Sequence, residues 1–253
     1  MSMCQVMGIV NVTPDSFSDG GQFYRPEEAV RRAKNLIEEG ASIIDLGGES
    51  TRPGSVPLSW VEEWSRLEPV LEGLSPMTGG GTVPLSVDTY HPETAERAVA
   101  AGVSIVNCVY GGPVPEMARI CAKSGAELVF PYRLSGTVPD AGGTVPLDLA
   151  TVTAILPVER LYLDPMIGFG TTREEDIALM GTVPELAKLG RVLVGASRKR
   201  LVKKLTGEKM TGKNLGGNLG IAVWSAMKGA FVVRVHDVRE TVQALKVVET
   251  LGK

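Results

Sequence analysis

The sequence predicts an α/β protein folded as a single (β/α)8 barrel, the TIM barrel, and three observations support this. Its 253 residues match the length of one such barrel, roughly 250 residues. Short apolar runs alternate with helical stretches from end to end, as parallel strands joined by helical crossovers require. Five of those runs give out at a polar residue: Asp45, Asp88, Asn107, Asp164 and the Arg234-Val235-His236-Asp237 run. Polar groups gathered at the C-terminal ends of barrel strands are where this architecture builds its site.

The elements follow in order. Strand 1 covers 5–11, followed by a long loop rich in Gly, Pro, Ser and Asp and a helix over 26–39. Strand 2 covers 42–46, with a Gly/Pro-rich loop at 47–57 and a helix over 58–71. Strand 3 (85–88) leads to a helix entered at His91-Pro92, proline being favoured at a first helical position. Strand 4 (104–109), a helix over 115–124 and strand 5 (127–130) come next. Strand 6 (160–163) precedes a helix over 173–180, and strand 7 covers 191–194. Two helices, 198–205 and 215–228, then lead to strand 8 (231–235) and a last helix ending at 251. No linker or second apolar core interrupts this series, so residues 1–253 are expected to form one domain. The tetrapeptide Gly-Thr-Val-Pro recurs at 81–84, 136–139, 143–146 and 181–184 without a fixed period. It is read as connection chemistry and carries no functional assignment.

Composition narrows the function classes. Hydrophobic residues make up 43% and charged residues 22%, the balance of a globular chain able to bury a large core. A net charge of −3 gives no support to nucleic-acid binding by bulk electrostatics. Cys4, Cys108 and Cys121 show neither metal-ligand spacing nor an even count, which argues against a disulfide framework. No signal peptide and no apolar run of roughly 18 residues is present, so the expected compartment is the cytoplasm, with no membrane partner.

Several residues carry chemistry. The loops after strands 1 and 2 exceed the usual length of about 2–6 residues, which favours lids and binding loops. Arg52, between Thr51 and Pro53 on the second of them, offers a planar fork suited to phosphate. Asp88, Asn107 and Asp164 are expected to project near the barrel axis. Buried carboxylates there suit a ligand with several N–H donors, and the Asn107 amide both donates and accepts. Ser197-Arg198-Lys199 follows strand 7, and the loops after strands 7 and 8 commonly bind phosphate. Of the basic cluster Arg198, Lys199, Arg200, Lys203 and Lys204, only Lys199 is taken as a ligand, and the others as a solvated helix face. His236 ends a strand, whereas His91 reads as ordinary helix entry.

Together these segments resemble dihydropteroate synthase. The carriers are 7–21, Asp45-Leu46-Gly47-Gly48-Glu49-Ser50-Thr51-Arg52-Pro53-Gly54, Ser86-Val87-Asp88-Thr89, 164–170, Ser197-Arg198-Lys199 and Arg234-Val235-His236-Asp237. The resemblance implies condensation of 6-hydroxymethyl-7,8-dihydropterin diphosphate with p-aminobenzoate, assisted by Mg2+, giving 7,8-dihydropteroate and pyrophosphate. It places the pterin on Asp88, Asn107, Asp164 and Lys199. Asn11, Arg52, Arg234 and His236 would hold the diphosphate, with Asn11 also reaching the metal. Thr51, Pro53, Phe169 and Ser197 would border the aminobenzoate. Catalysis would rest on Asp88, Lys199, Arg234 and Arg52, and the protein would be a homodimer.

Four positions depart from the family pattern. Cys108 stands where an aspartate usually follows the asparagine, and Thr171 replaces a common lysine. The end of strand 5 reads Phe130-Pro131-Tyr132-Arg133 in place of a Met-His pair, which removes a pterin-side contact. Met166 occupies the usual glycine of the turn after Asp164-Pro165, where a positive φ would strain a side-chain-bearing residue. Two other activities fit a pterin-binding barrel: a homologue that binds without condensing, and a methyltransferase domain using methyltetrahydrofolate. Arg52 and the Arg234-Val235-His236 run argue against the second.

Overall fold

The structure, a computed structural model, describes residues 4–13, 25–49, 56–78, 83–108, 112–137 and 148–252. Its strands are β1 (Gln5–Asn11), β2 (Ile43–Gly47), β3 (Leu85–Thr89), β4 (Ile105–Cys108), β5 (Glu127–Pro131), β6 (Leu161–Asp164), β7 (Arg191–Val194) and β8 (Val232–Val235). They pair in parallel in sequence order, and β8 closes onto β1. The helices are α1 (Pro26–Glu38), α2 (Trp60–Thr78), α3 (Pro92–Ala100), α4 (Val114–Ser124), α5 (Leu149–Thr153), α6 (Arg173–Gly181), α7 (Val183–Leu186), α8 (Arg200–Thr206), α9 (Leu215–Met227) and α10 (Val238–Leu251). The predicted (β/α)8 barrel is therefore the observed architecture.

Side-chain alternation divides the core in two. Met7, Ile43, Ile105, Val129, Tyr162, Leu193 and Val232 point inward and fill the middle of the barrel. Their neighbours Ile44, Leu46, Val87, Val106, Leu128, Leu163 and Val233 point outward and pack with Leu36, Leu67, Leu74 and Met117 from the helices. Both faces of each strand are thus buried, which is why the strands read as short continuous apolar runs. At the N-terminal mouth Arg191 Nη1 donates to Glu127 Oε1 at 2.8 Å, and its guanidinium lies 3.9 Å from the Tyr162 ring centre. This pairing caps the interior below the apolar layer, so polar side chains of the next inward layer face the opposite mouth.

Several boundaries shift for local reasons. The helix expected over 58–71 runs on to Thr78, because Leu67, Val70, Leu71 and Leu74 continue one buried stripe. Gly73 lets it approach α1, since a Cβ there would meet Val30 Cγ2 at 2.7 Å. The helix expected from 198 starts at Arg200, because Arg198 takes φ 60° and its N–H bonds Asn218 Oδ1 at 2.9 Å. Helices α5 and α7 were not expected. Of the Gly-Thr-Val-Pro copies, only 181–184 lies wholly within the described residues; Gly181 ends α6, and Pro184 sits in the first turn of α7. Strand 5 includes Pro131, which pairs with Asp164, and Tyr132 N–H bonds Asp164 O at 2.8 Å. The unusual strand end therefore extends the ladder.

Candidate active site

Register staggers the polar strand residues: Asp45 lies opposite Ser86, two residues before Asp88, and Asp88 lies opposite Asn107. Arg234 reaches across from β8. Its Nε donates to Asp45 Oδ2 at 2.6 Å and its Nη2 to Asp88 Oδ2 at 2.5 Å. Asn107 Nδ2 donates to the same Asp45 oxygen at 3.2 Å. Asp45 is fully buried, so its charge demands such partners. Asp45 Oδ1 and Asp88 Oδ1 are buried without a partner among the described residues, which leaves two acceptors suited to ligand N–H groups.

Burial governs the protonation of this ring. It pushes Asp88 up to about 7 against the pull of Arg234, and it raises Asp164 against the opposing charge of Lys199. Burial likewise pulls Lys199 down to about 8, although Asp164 and Asp88 favour its charged form. It also works against the Arg234 charge, but Asp45 and Asp88 outweigh it and keep the guanidinium protonated.

The segment after β6 forms one wall. Met166 has φ 63°, so the strain foreseen at this non-glycine position is present. Its N–H bonds Asp164 Oδ1 at 2.7 Å. Lys199 Nζ donates to Ile167 O at 2.7 Å and lies 4.2 Å from the Phe169 ring centre. Gly168 has φ +82°, and a Cβ on it would sit 3.0 Å from Lys199 Cδ. Beneath this wall the fully buried Asp176 accepts from Gly168 N at 2.7 Å, Thr171 Oγ1 at 2.6 Å and Arg200 Nε at 3.2 Å.

The remaining expected residues are placed as follows. Ser197 Oγ and His236 Nδ1 are 3.1 Å apart, which joins residues assigned separately to aminobenzoate and diphosphate. Asn11 ends β1 opposite Gly47. Thr51, Arg52 and Pro53 lie outside the described residues, so the structure says nothing of them. Among the described residues, no group of three His, Cys, Asp or Glu could hold a metal ion.

The structure adds partners to three of the readings. Arg234, expected on the diphosphate, also donates to Asp45 and Asp88, partners that a buried guanidinium needs. The cluster expected to form a mostly solvated face does lie at the surface, where it also finds acidic partners: Arg198 meets Asp237 at 2.5 Å, Arg200 meets Asp176, and Lys204 meets Glu174 at 2.9 Å. His91 is more than helix entry. Its ring stacks on Tyr90 at 4.2 Å, its Nε2 lies 3.1 Å from Leu58 O, and Tyr90 Oη donates to Glu49. Sequence reasoning also missed Asp45 as the Arg234 partner and Asp176 as the wall's support. Asp45 was visible as a strand end; nothing in the local sequence marks Asp176.

Comparison with known proteins gives one consistent result. The family model described as "Pterin binding enzyme" matches residues 7–133 and 148–236. A dihydropteroate synthase of Neisseria meningitidis serogroup B is 40% identical, over 98% of this chain and 93% of that protein. Among solved structures, dihydropteroate synthase of Xanthomonas albilineans with 4-aminobenzoic acid is 37% identical with TM-score 0.85, covering 99% of this chain and 94% of that one. The same enzyme in complex with 7,8-dihydropteroate gives 35% identity and TM-score 0.83 over the same shares.

Proposed function

The chain belongs to the pterin binding enzyme family, and from that premise we infer that it is a transferase that makes 7,8-dihydropteroate. Its substrates are 6-hydroxymethyl-7,8-dihydropterin diphosphate and p-aminobenzoate. The observation that carries this reading is the convergence of Asp45, Asp88 and Asp164 with Arg234 and Lys199 at one barrel mouth, where two carboxylate oxygens lack partners among the described residues. A pterin presents an edge of N–H donors beside a carbonyl. Asp164, Asp88 and Asn107 suit the donors, and the Lys199 ammonium suits the carbonyl.

The reaction follows from that placement. The bond between the pterin methylene carbon and the diphosphate oxygen breaks, and pyrophosphate leaves with the electron pair. Positive charge left on the pterin is stabilised by the Asp88 and Asp45 carboxylates, which are fixed before the reaction. The neutral aromatic amine attacks the methylene carbon, and its nitrogen gives up one proton to water or pyrophosphate. Asn11, Arg52, Arg234 and His236 would hold the departing diphosphate, with Arg234 also fixing the carboxylates beside it. Phe169 and Ser197 would border the amine with Thr51 and Pro53.

Mg2+ belongs to the same proposal. Mg2+ takes oxygen ligands and is commonly held by few protein groups together with substrate phosphates and water. The Asn11 side-chain oxygen at the end of β1 fits that role. When bound, the ion would neutralise leaving-group charge.

A homodimer is also proposed. It is supported by Trp224 and Met227, exposed apolar side chains three residues apart on one face of α9, since exposed apolar surface marks interaction sites. Cytoplasmic location is proposed as well. Its support is three cysteines that are all free thiols, the state that a reducing compartment keeps. Among the described residues no helix is long and apolar enough to cross a membrane.

The deciding experiment mixes the purified protein with dihydropterin diphosphate, Mg2+ and p-aminobenzoate, and follows pyrophosphate and dihydropteroate together. Equal release of both, abolished in Lys199→Ala and Asp88→Ala, is expected. Tight pterin binding without either product would overturn the enzymatic reading.

A further inference from the structure

We propose that Arg133 is a positioning residue whose guanidinium holds the turn 165–169 and thereby sets the places of Lys199 and Phe169; this rests on the function proposed above. Arg133 follows the altered end of β5. Its Nε donates to Pro165 O at 3.4 Å, and its Nη2 donates to Met166 O at 3.3 Å and to Phe169 O at 3.0 Å. One side chain therefore bonds three carbonyls of a single turn.

That turn needs an external hold. Met166, Gly168 and Gly170 all take positive φ, and left-handed backbone is disfavoured for a side-chain-bearing residue such as Met166. Met166 is restrained at both ends of its own backbone: its N–H on Asp164 Oδ1, its carbonyl on Arg133. The next carbonyl, Ile167 O, accepts from Lys199 Nζ, and the Phe169 ring lies against the same ammonium. Phe169 O then returns to Arg133. The guanidinium is thus one end of a connected path to the groups expected to meet pterin and aminobenzoate. The Arg133 charge also reaches Asp164 and favours its ionised form. The base of Arg133 is itself fixed, because the adjacent Tyr132 N–H bonds Asp164 O at 2.8 Å.

Planarity explains the residue type. A guanidinium carries N–H groups in a rigid fork that serves several acceptors at once, whereas a lysine ammonium is a point charge on a flexible stem. Arg133→Lys would keep the charge and lose the fork. Arg133→Met would keep the stem and lose both.

The test compares wild type, Arg133→Met and Arg133→Lys in two measurements. Steady-state kinetics with dihydropterin diphosphate, Mg2+ and p-aminobenzoate are expected to show KM for both substrates raised about tenfold in Arg133→Met. Arg133→Lys is expected to recover less than half of that change on a logarithmic scale. Amide hydrogen exchange is expected to quicken at least about tenfold across 165–171 in both variants, with β2 and β8 unchanged. Wild-type KM values in either variant, full recovery by lysine, or unchanged exchange across 165–171 would each overturn the proposal. Should Arg133→Met fail to fold, Arg133→Lys alone gives the same readings. Should wild type form no dihydropteroate, the function proposed above fails, and the exchange measurement still decides whether Arg133 holds the turn.

Discussion

The Arg234 guanidinium donates to the Asp88 carboxylate at 2.5 Å, joining the end of β8 to the end of β3 across the barrel mouth. The same guanidinium also holds the fully buried Asp45, so the two carboxylates share one cation. Removing either end of this link has unequal consequences.

Arg234→Met leaves Asp45 and Asp88 buried without their cation, a change expected to cost about 3–5 kcal/mol in urea denaturation. Asp88→Asn leaves Arg234 paired with Asp45 and removes a carboxylate that burial already disfavours. Its stability loss is expected to stay under about 1 kcal/mol, while dihydropteroate formation falls at least about 100-fold. Equal stability losses in the two variants would show that the sharing is not energetically real.

Activity should depend on pH through two buried groups. Asp88 must be ionised to accept pterin N–H groups, and burial pushes it up to about 7. Lys199 must be protonated to donate, and burial pulls it down to about 8. The profile of kcat/KM for dihydropterin diphosphate is therefore expected to be a narrow bell with limbs near these values. A flat profile from pH 6 to 9 would remove both assignments.

The same shifts fix the sign of stability against pH. The raised Asp88 contributes stability that is fully present below the unfolded value of 3.8 and lost as pH rises through about 7. The lowered Lys199 contributes stability present above its unfolded value of 10.5 and lost as pH falls through about 8. Chemical denaturation in steps from pH 4 to 11 reads both; in Asp88→Asn the first slope is expected to shrink.

Met166 is buried yet left-handed. Met166→Ala removes the buried side chain and keeps the strain, at an expected cost of about 2–3 kcal/mol. Met166→Gly removes both, and so should be more stable than the alanine variant by about 1 kcal/mol. Thermal denaturation of the pair checks this reversal of the ordinary order.

Asp176 gathers Gly168, Thr171 and Arg200 beneath the site wall. Asp176→Ala leaves these donors without their acceptor and is expected to cost about 3–5 kcal/mol. A second Arg200→Met change on that background should add little, because the two residues act as one unit. Full additivity in a double-mutant cycle would contradict the coupling.

Trp224 lies 37% exposed on the apolar face of α9. If that face joins two copies, Trp224→Glu should shift the protein to a monomer in sedimentation velocity, with Asp88, Lys199 and Arg234 untouched. An unchanged sedimentation coefficient would place any dimer contact elsewhere.

The strand frame was legible because parallel strands buried on both faces read as brief apolar runs, and each run stopped at a residue that could not enter the core. Asp88, Asn107 and Asp164 stood out in this way, and the structure brings them to one mouth. Helices α5 and α7 were not legible, since four or five residues carry too little periodicity to signal a helix. The polar face carrying Arg198, Arg200 and Lys204 was legible and stays at the surface, but periodicity reports which side of a helix is polar, not which acidic group faces it.

The sequence by itself determined the barrel, the order of its strands, the polar ring at their ends and the awkward methionine at 166. Tertiary structure alone decided who meets whom. Arg234 lies 189 residues from Asp45 and 146 from Asp88, and Arg133 finds its three carbonyls more than thirty positions away. Closing the barrel removes these groups from water, and buried charges and carbonyls then take the partners that geometry puts within hydrogen-bond reach.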